Sequence, residues 1–404
     1  MVPARERALI VGGGQAGGWI AKTLRSEGFA GRITIVGEEI HPPYERPPLS
    51  KAVLLSAEAI GETVLLSSGQ AAALDIEMTL GKRVTALDRA ARVARCADGD
   101  AMSYDMLFLT MGSRPRVPDW MIEDDRIHLL RTLDDAARLR EGLRSTRRLL
   151  VIGGGWIGLE TAATARAMGI DVIVVQATDA VCSRSLPPAV SQWLLHLHQQ
   201  RGVRFCLRET VQSVRVVGGQ VEIELASGLH LSGDRLVVGI GNLPNSELAA
   251  AAGLATNDGI MVDQVGRTDD DRIFAAGDVA AFPCTFARKT VRRESWANAQ
   301  NQAIAVARTA MGLDATYEQL PWLWSDQYGI NIQIAGLPEE GTRTVFKAGP
   351  GEDGGSWLAL DECSLPVGAV SAADPHGFRP LRKALQARSA VDLDGWAEIS
   401  SSGD

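Results

Sequence analysis

Two glycine-rich turns, Val11-Gly12-Gly13-Gly14-Gln15-Ala16-Gly17 and Ile152-Gly153-Gly154-Gly155-Trp156-Ile157-Gly158, lie about 140 residues apart in the chain. Each follows a short apolar run suited to a buried strand and opens a run with helical periodicity. That is the order in which a βαβ unit presents its first turn to a dinucleotide. The first glycine permits the tight turn, the second lets the backbone approach a pyrophosphate, and the third lets helix and strand pack closely. The helix N-terminus then offers unpaired N–H groups to phosphate. One such turn is weak evidence, but two in this setting point to two nucleotides held at once. That is the layout of a protein that passes electrons between cofactors.

The pattern around the turns sets the fold class. Residues 8–11 and 33–36 read as strands flanking a helix over 15–27 that Gly28 ends. Residues 148–152, 156–168 and 172–175 repeat the pattern. The expected class is α/β: two Rossmann-like, doubly wound nucleotide-binding domains plus a small α+β C-terminal domain. Residues 104–115 and 236–244 read as buried strands ending in small-residue turns, and the strand from Arg272 runs into Gly277-Asp278. The second unit therefore reads as an insertion into the first. The expected division is 1–112 with 243–324, then 113–242, then 325–404, the last carrying one helix over 380–388.

Bulk properties narrow the chemistry. A chain of 404 residues is too long for one core. Its 46% hydrophobic and 22% charged residues fit a soluble globular protein, and its net charge of -8 weighs against nonspecific nucleic-acid binding. No apolar run reaches the ~18 residues of a membrane helix. Residues 1–7 are too short and polar for a signal peptide, so a cytoplasmic location is expected. Cys96, Cys182, Cys206, Cys284 and Cys363 are scattered, with no C-x-x-C pair. This argues against a disulfide framework, a zinc site, an iron–sulfur cluster and a dithiol centre. No metal site is expected, and the electron carrier is neither a protein sulfur nor a cysteine-bound metal.

Glu38 and Glu39 stand 24 and 25 residues beyond Gly14, where an acid binds a ribose 2′-hydroxyl. The corresponding residue of the second unit is Gln176. Glutamine does not repel a 2′-phosphate, but holding one requires arginine or lysine, and Arg184 is the nearest candidate. NADH is expected there, with weakened discrimination against NADPH. In Tyr44-Glu45-Arg46-Pro47-Pro48-Leu49-Ser50-Lys51 the prolines stiffen the loop and Ser50 is placed to cap a following helix. Lys51 then falls in the first helical turn, against the helix dipole, and a residue so placed calls for a functional explanation.

Taken in order, several segments resemble one family. They are the first turn, Glu38-Glu39, Arg46 through Lys51, the second turn running into Leu159-Glu160, Gly277-Asp278, Glu294-Ser295-Trp296-Ala297-Asn298-Ala299 and Pro321-Trp322-Leu323-Trp324-Ser325-Asp326-Gln327-Tyr328. They resemble the FAD-dependent NAD(P)H:ferredoxin reductases of bacterial ring-hydroxylating oxygenase systems, in particular the reductase components of phenylpropionate and biphenyl dioxygenases. The resemblance runs from about residue 7 to 390.

The resemblance implies FAD on the first unit, NADH on the second, and 325–404 as an interface domain. Gly12, Gly14, Gln15, Ala16 and Gly17 would line the FAD turn. Gly153, Gly155, Trp156, Ile157, Gly158, Gln176, Arg184 and Gly241 would line the NADH site. Glu38 and Glu39 would hold the adenosine ribose, Val84 the adenine side through its backbone, and Asp278 the ribityl chain. Arg46 and Lys51 would lie along the FAD, with Lys51 near the flavin ring. Arg114, after the Thr110-Met111-Gly112 turn, would approach the FAD. Ser295 opens the segment in which Trp296, together with Trp324, would flank the isoalloxazine. Lys51 and Glu160 are the implied catalytic pair, Glu160 meeting the nicotinamide carboxamide. Two positions depart from the family: an acid is usual at Gln176, and the common Ala-Thr-Gly turn reads Thr110-Met111-Gly112.

The implied partner is a Rieske-type 2Fe–2S ferredoxin that feeds a terminal oxygenase. The basic segment His376-Gly377-Phe378-Arg379-Pro380-Leu381-Arg382-Lys383 can steer an acidic ferredoxin. A monomer or weak homodimer is expected, with no nucleic-acid or membrane partner. Rubredoxin, a P450-type ferredoxin or oxygen would use the same flavin scaffold as acceptors. A redox-sensing flavoprotein is a further reading.

Overall fold

The computed structural model describes residues 6–350 and 354–399. Residues 1–5, part of the segment read as too polar for a signal peptide, lie outside them. Along the chain run β1 (Arg7–Val11), α1 (Gln15–Ser26), β2 (Arg32–Gly37), β3 (Ile76–Leu80), β4 (Val84–Asp88), β5 (Met106–Leu109), β6 (Ile127–His128) and α2 (Leu133–Leu143). Then come β7 (Arg148–Ile152), α3 (Trp156–Ala167), β8 (Asp171–Gln176), α4 (Pro188–Gln200), β9 (Val203–Leu207), β10 (Arg235–Val238), β11 (Ile273–Ala275) and α5 (Trp296–Ala310). The last elements used below are β12 (Trp322–Gln327), β13 (Ile330–Gly336), β14 (Arg343–Ala348), β15 (Gly355–Leu360), β16 (Pro366–Ala372), α6 (Pro375–Ala387) and β17 (Ala397–Ile399).

Contacts gather these elements into two compact units, each made from three separated segments. One takes the chain up to Pro47, Ile60–Arg114 and Asn242–Gln319. The other takes Pro48–Ala59, Pro115–Gly241 and the chain from Leu320 onward.

The first unit is built on a parallel sheet in the order β11-β5-β1-β2-β3. A parallel sheet is covered on both faces, so its inner strands must be apolar at every position. β1 meets that demand. Ala8 and Ile10 pack with Ile20, Leu24, Ile33 and Phe108 on one face. Leu9 and Val11 pack with Leu107, Leu109 and Ile273 on the other. The two-residue side-chain period of a strand thereby feeds two cores from one run. The carboxyl ends of β1, β5 and β11 lead into Gly12, Thr110 and Gly277, which brings those turns to one edge of the sheet.

The second unit repeats the plan with the parallel order β9-β8-β7-β10-β6. It also contains an antiparallel sheet, β12-β13-β16-β15-β14-β17. α3 and α4 share one core with β12, β13, β15 and β16, through Leu159, Leu194, Ile332, Trp357 and Val370.

Two local expectations need correction. The C-terminal helix begins at Pro375, not at residue 380. Asp374 caps it by accepting from Gly377 N–H at 2.9 Å, and Pro375 takes the first-turn place that proline prefers, which leaves Pro380 inside the helix. Ser50 does not cap a helix either. It ends a 3-10 turn over Pro47–Ser50, and Lys51 is the N-cap of a short helix, Ala52–Leu55. Among the described residues no helix is long and apolar enough to cross a membrane.

Candidate functional site

The two glycine turns are near copies in their sterics. Gly12 has φ +117°, and a Cβ there would sit 2.3 Å from Thr110 O; Gly153 has φ +105°, and a Cβ would sit 2.2 Å from Gly239 O. A Cβ on Gly17 or Gly158 would lie 2.1 Å from the carbonyl oxygen of Gly12 or Gly153. The middle glycines differ in kind. Gly14 and Gly155 are the N-caps of α1 and α3, with extended backbone and no side-chain cap. A Cβ on Gly155 would meet nothing within 4 Å, and one on Gly14 only the Arg46 guanidinium at 3.8 Å. Each helix therefore presents its first-turn N–H groups through an open window, lined in the first case by the Arg46 guanidinium, the shape a pyrophosphate needs.

Around the first turn the structure separates Glu38 from Glu39. Glu39 accepts from Arg46 at 2.8 Å and from the Tyr44 hydroxyl. Glu38, the first residue after β2, has a mostly exposed side chain 3.7 Å from Arg83. Glu38 is therefore left facing outward, while Glu39 holds Arg46 beside Gly14. Burial works against the Arg46 charge, but Tyr44, Glu39 and Asp278 outweigh it and keep the guanidinium firmly protonated. Asp278 accepts from Ser113 at 3.2 Å. Gln15 donates to the Trp296 carbonyl at 3.0 Å, and Ser295 caps α5 by accepting from Asn298 N–H. Val84 opens β4. Arg114 is engaged with Asn245 at 2.9 Å and Glu247 at 2.6 Å.

In the second turn Gln176 is tied to its own loop. Its Oε1 accepts from Gly154 N–H at 2.8 Å, and its Nε2 donates to Thr178 and to the Ala180 carbonyl. A carboxylate at this place accepts from Gly154 but cannot donate to Ala180. Trp156 Nε1 donates to Ser185 at 2.9 Å, and the Ile157 carbonyl accepts from Thr161. The Arg184 guanidinium lies 3.4 Å from the Cβ position of Gly241. Gly241 follows β10, which flanks β7 on the side away from β8 and Gln176. The cation beside the Gln176 loop is instead Arg208, just past β9, paired with Asp179 at 2.8 Å. Sequence reasoning missed it because the parallel neighbour strand that delivers it is about 30 residues downstream.

A buried polar cluster of the second unit centres on Glu160, which is 6% exposed on α3. Lys51 Nζ lies 2.7 Å from Glu160 Oε2, and Ser50 donates to the same oxygen. Ser325 of β12 donates to Oε1 at 2.6 Å, and Thr164 anchors the Ser50 carbonyl at 2.8 Å. Cys182 is buried nearby. Burial, and then the Glu160 charge, push its thiol well above the usual range, and it donates to the Gly154 carbonyl. A thiol so held stays protonated, which disfavours its use as a nucleophile. Elsewhere in the unit Trp322 and Trp324 stack with ring centres 5.1 Å apart, and Arg382 of α6 sits 5.3 Å over Trp322.

The family model for pyridine nucleotide-disulphide oxidoreductases matches residues 6–303, and a reductase C-terminal model matches 322–402. The chain belongs to the pyridine nucleotide-disulphide oxidoreductase family. It is similar to the 3-phenylpropionate/cinnamic acid dioxygenase ferredoxin–NAD(+) reductase component of Photorhabdus laumondii, 38% identical over 93% of this chain and 95% of the relative. It is similar to the anthranilate 1,2-dioxygenase system ferredoxin–NAD(+) reductase component of Burkholderia cepacia, at 40% over 85% and 84%. It is also similar to rhodocoxin reductase of Rhodococcus erythropolis, at 41% over 93% and 88%. Among solved structures, putidaredoxin reductase in its covalent complex with putidaredoxin superimposes with a TM-score of 0.93, 34% identity and coverage of 97% and 95%.

The residues present fit the family's two nucleotides. Both helices carry the open glycine window, and each window has a distinct lining. The first has a fixed cation, Arg46, and an outward acid, Glu38. The second has the neutral Gln176 at the end of β8, with Arg208 beside its loop paired to Asp179.

Proposed function

We propose that the chain is an FAD-dependent NADH:ferredoxin reductase that supplies electrons to the ferredoxin of an aromatic-ring dioxygenase. The observation that carries this reading is the enclosed Lys51–Glu160 ion pair, in a family member with two glycine windows and no C-x-x-C pair. Bound FAD supplies the chemistry, taking a hydride from NADH and releasing electrons singly to a one-electron carrier.

The chain's own residues bind and align. The first-turn N–H groups of α1, with Arg46, would hold the FAD pyrophosphate, Glu38 the ribose, and Asp278 the ribityl chain. The N–H groups of α3 hold NADH. Its binding would be the looser of the two, because Gln176 is neutral and its side chain is held by its own loop. That suits a donor that must leave after every turnover. Glu160 holds Lys51, whose ammonium would favour negative charge on a reduced flavin, and Glu160 would orient the nicotinamide amide.

The nucleotide assignments divide the chain into an FAD domain (1–112 and 243–324), an NADH domain (113–242) and an interface domain (325–404). A cytoplasmic location follows from the use of NADH. The acidic ferredoxin docks at Arg379, Arg382 and Lys383 of α6, where the Arg382–Trp322–Trp324 stack begins.

The test is NADH-dependent cytochrome c reduction with and without a Rieske-type ferredoxin. Rapid, ferredoxin-dependent reduction that slows as salt rises is the expected result. Fast NADH consumption by oxygen alone would overturn the acceptor. A rate indifferent to salt would remove the docking face.

A further inference from the structure

A line of buried hydrogen bonds leaves Glu160 and crosses the second unit. Ser325 Oγ donates to Glu160 Oε1 at 2.6 Å, and Gln327 Nε2 donates to Ser325 Oγ at 2.9 Å. Gln327 Oε1 meets His198 Nε2 at 2.6 Å, and His198 Nδ1 meets the Tyr328 hydroxyl at 2.9 Å. Ser325, Gln327 and His198 are each at most 1% exposed. Two adjacent polar positions on one face of β12 and one histidine of α4, 129 residues away from Gln327, therefore share a single circuit.

The proton positions along the line follow from its end. A carboxylate paired with Lys51 offers no proton, so Ser325 must spend its single hydrogen on Glu160. Its oxygen is then an acceptor for the Gln327 amide, whose carbonyl in turn faces His198. His198 must carry its proton on Nε2, leaving Nδ1 to accept from Tyr328. Every donor in the line points toward Glu160. Burial supports the neutral ring by pushing His198 down to about 4. The edge of Phe205 and the ring of Tyr328 close over it.

We propose that His198, Gln327 and Tyr328 are positioning residues for the reaction with NADH. Through Ser325 they fix the Glu160 carboxylate so that Oε2 stays on Lys51 and Ser50. The inference rests on the reading of Lys51 and Glu160 as the pair that serves NADH. A carboxylate gripped on one oxygen only can rotate about its terminal bond, and a rotation of that kind misplaces Lys51. The one-way line removes that freedom without adding a charge.

The test is a double-mutant cycle in the holoenzyme, read by stopped flow at saturating NADH. Gln327→Leu should slow flavin reduction about tenfold, and the milder Tyr328→Phe two- to threefold. In a Glu160→Gln background Gln327→Leu should cause no further loss. Histidine-selective NMR of the holoenzyme supplies a readout independent of turnover. His198 should appear as the Nε2–H tautomer, and its ring proton should shift in Glu160→Gln. Additive losses, or an Nδ1–H tautomer, overturn the proposal even if Gln327→Leu folds poorly. An unchanged rate in Glu160→Gln alone overturns the underlying reading of the pair, and this inference with it.

Discussion

The decisive residues are those whose surroundings leave them one job. Lys51 is an N-cap without a capping side chain, and its ammonium pairs with the buried Glu160. Lys51→Ala should slow flavin reduction by NADH in stopped flow far more than it lowers the FAD content of the purified protein. It should also destabilise the fold by about 3 kcal/mol, because Glu160 is left buried without its counter-ion. An unchanged reduction rate would remove Lys51 from the mechanism. Asp179 has the opposite character, an exposed acid that neutralises the cation beside the Gln176 loop. Asp179→Ala should free Arg208 for a 2′-phosphate and raise kcat/KM for NADPH relative to NADH several-fold. Steady-state kinetics with both donors decides this, and a constant ratio would count against Arg208. Arg184 should have no comparable effect, since it packs on the far flank of β7.

At the scale of elements, the turn glycines divide into those that close a turn and those that leave it open. Gly158→Ala forces a Cβ to within 2.1 Å of the Gly153 carbonyl and should prevent the second unit from folding. Gly155→Ala meets nothing within 4 Å, so melting should change little while KM for NADH rises about tenfold. A Gly155→Ala protein with unaltered KM would place the pyrophosphate elsewhere. The strands and helices around these turns were legible in the sequence because β1, β2, β7 and β8 are mostly apolar runs, and β1 and β7 lead directly into the glycine turns. Pro380 misled because proline marks a first helical turn, and Pro375, five residues earlier, had already taken that place. Ser50 misled because serine before a helix reads as a cap, whereas its hydroxyl finds a partner 110 residues away. The line from Glu160 to Tyr328 was illegible for the same reason. Polar side chains at alternate positions of β12 signal a polar face, but nothing local says that α4 supplies the histidine.

For the whole molecule, acid is the expected weakness. Burial holds His128 and His198, both in the second unit, at about 4, against 6.5 when unfolded. Between these values the unfolded chain binds more protons than the native one. Stability is therefore full above pH 6.5 and falls as pH drops toward 4. At pH 5 the loss is about 2 kcal/mol per ring. Thermal melting at pH 7.5 and pH 5 should show the drop, and His128→Gln should shrink it; an undiminished drop would assign the effect to carboxylates. The three-segment construction of each unit also has a consequence for biogenesis. On the ribosome, β1 and β2 emerge early, but β11, the last strand of their sheet, follows only after the whole of 115–241 has been made. That inserted stretch must be extruded in the middle of the first unit's assembly, and it lacks its own C-terminal segment until synthesis nears its end. Truncation after Gln319 therefore spares every strand of the first sheet yet deprives Glu160 of Ser325. No single cut in the gene yields either unit intact.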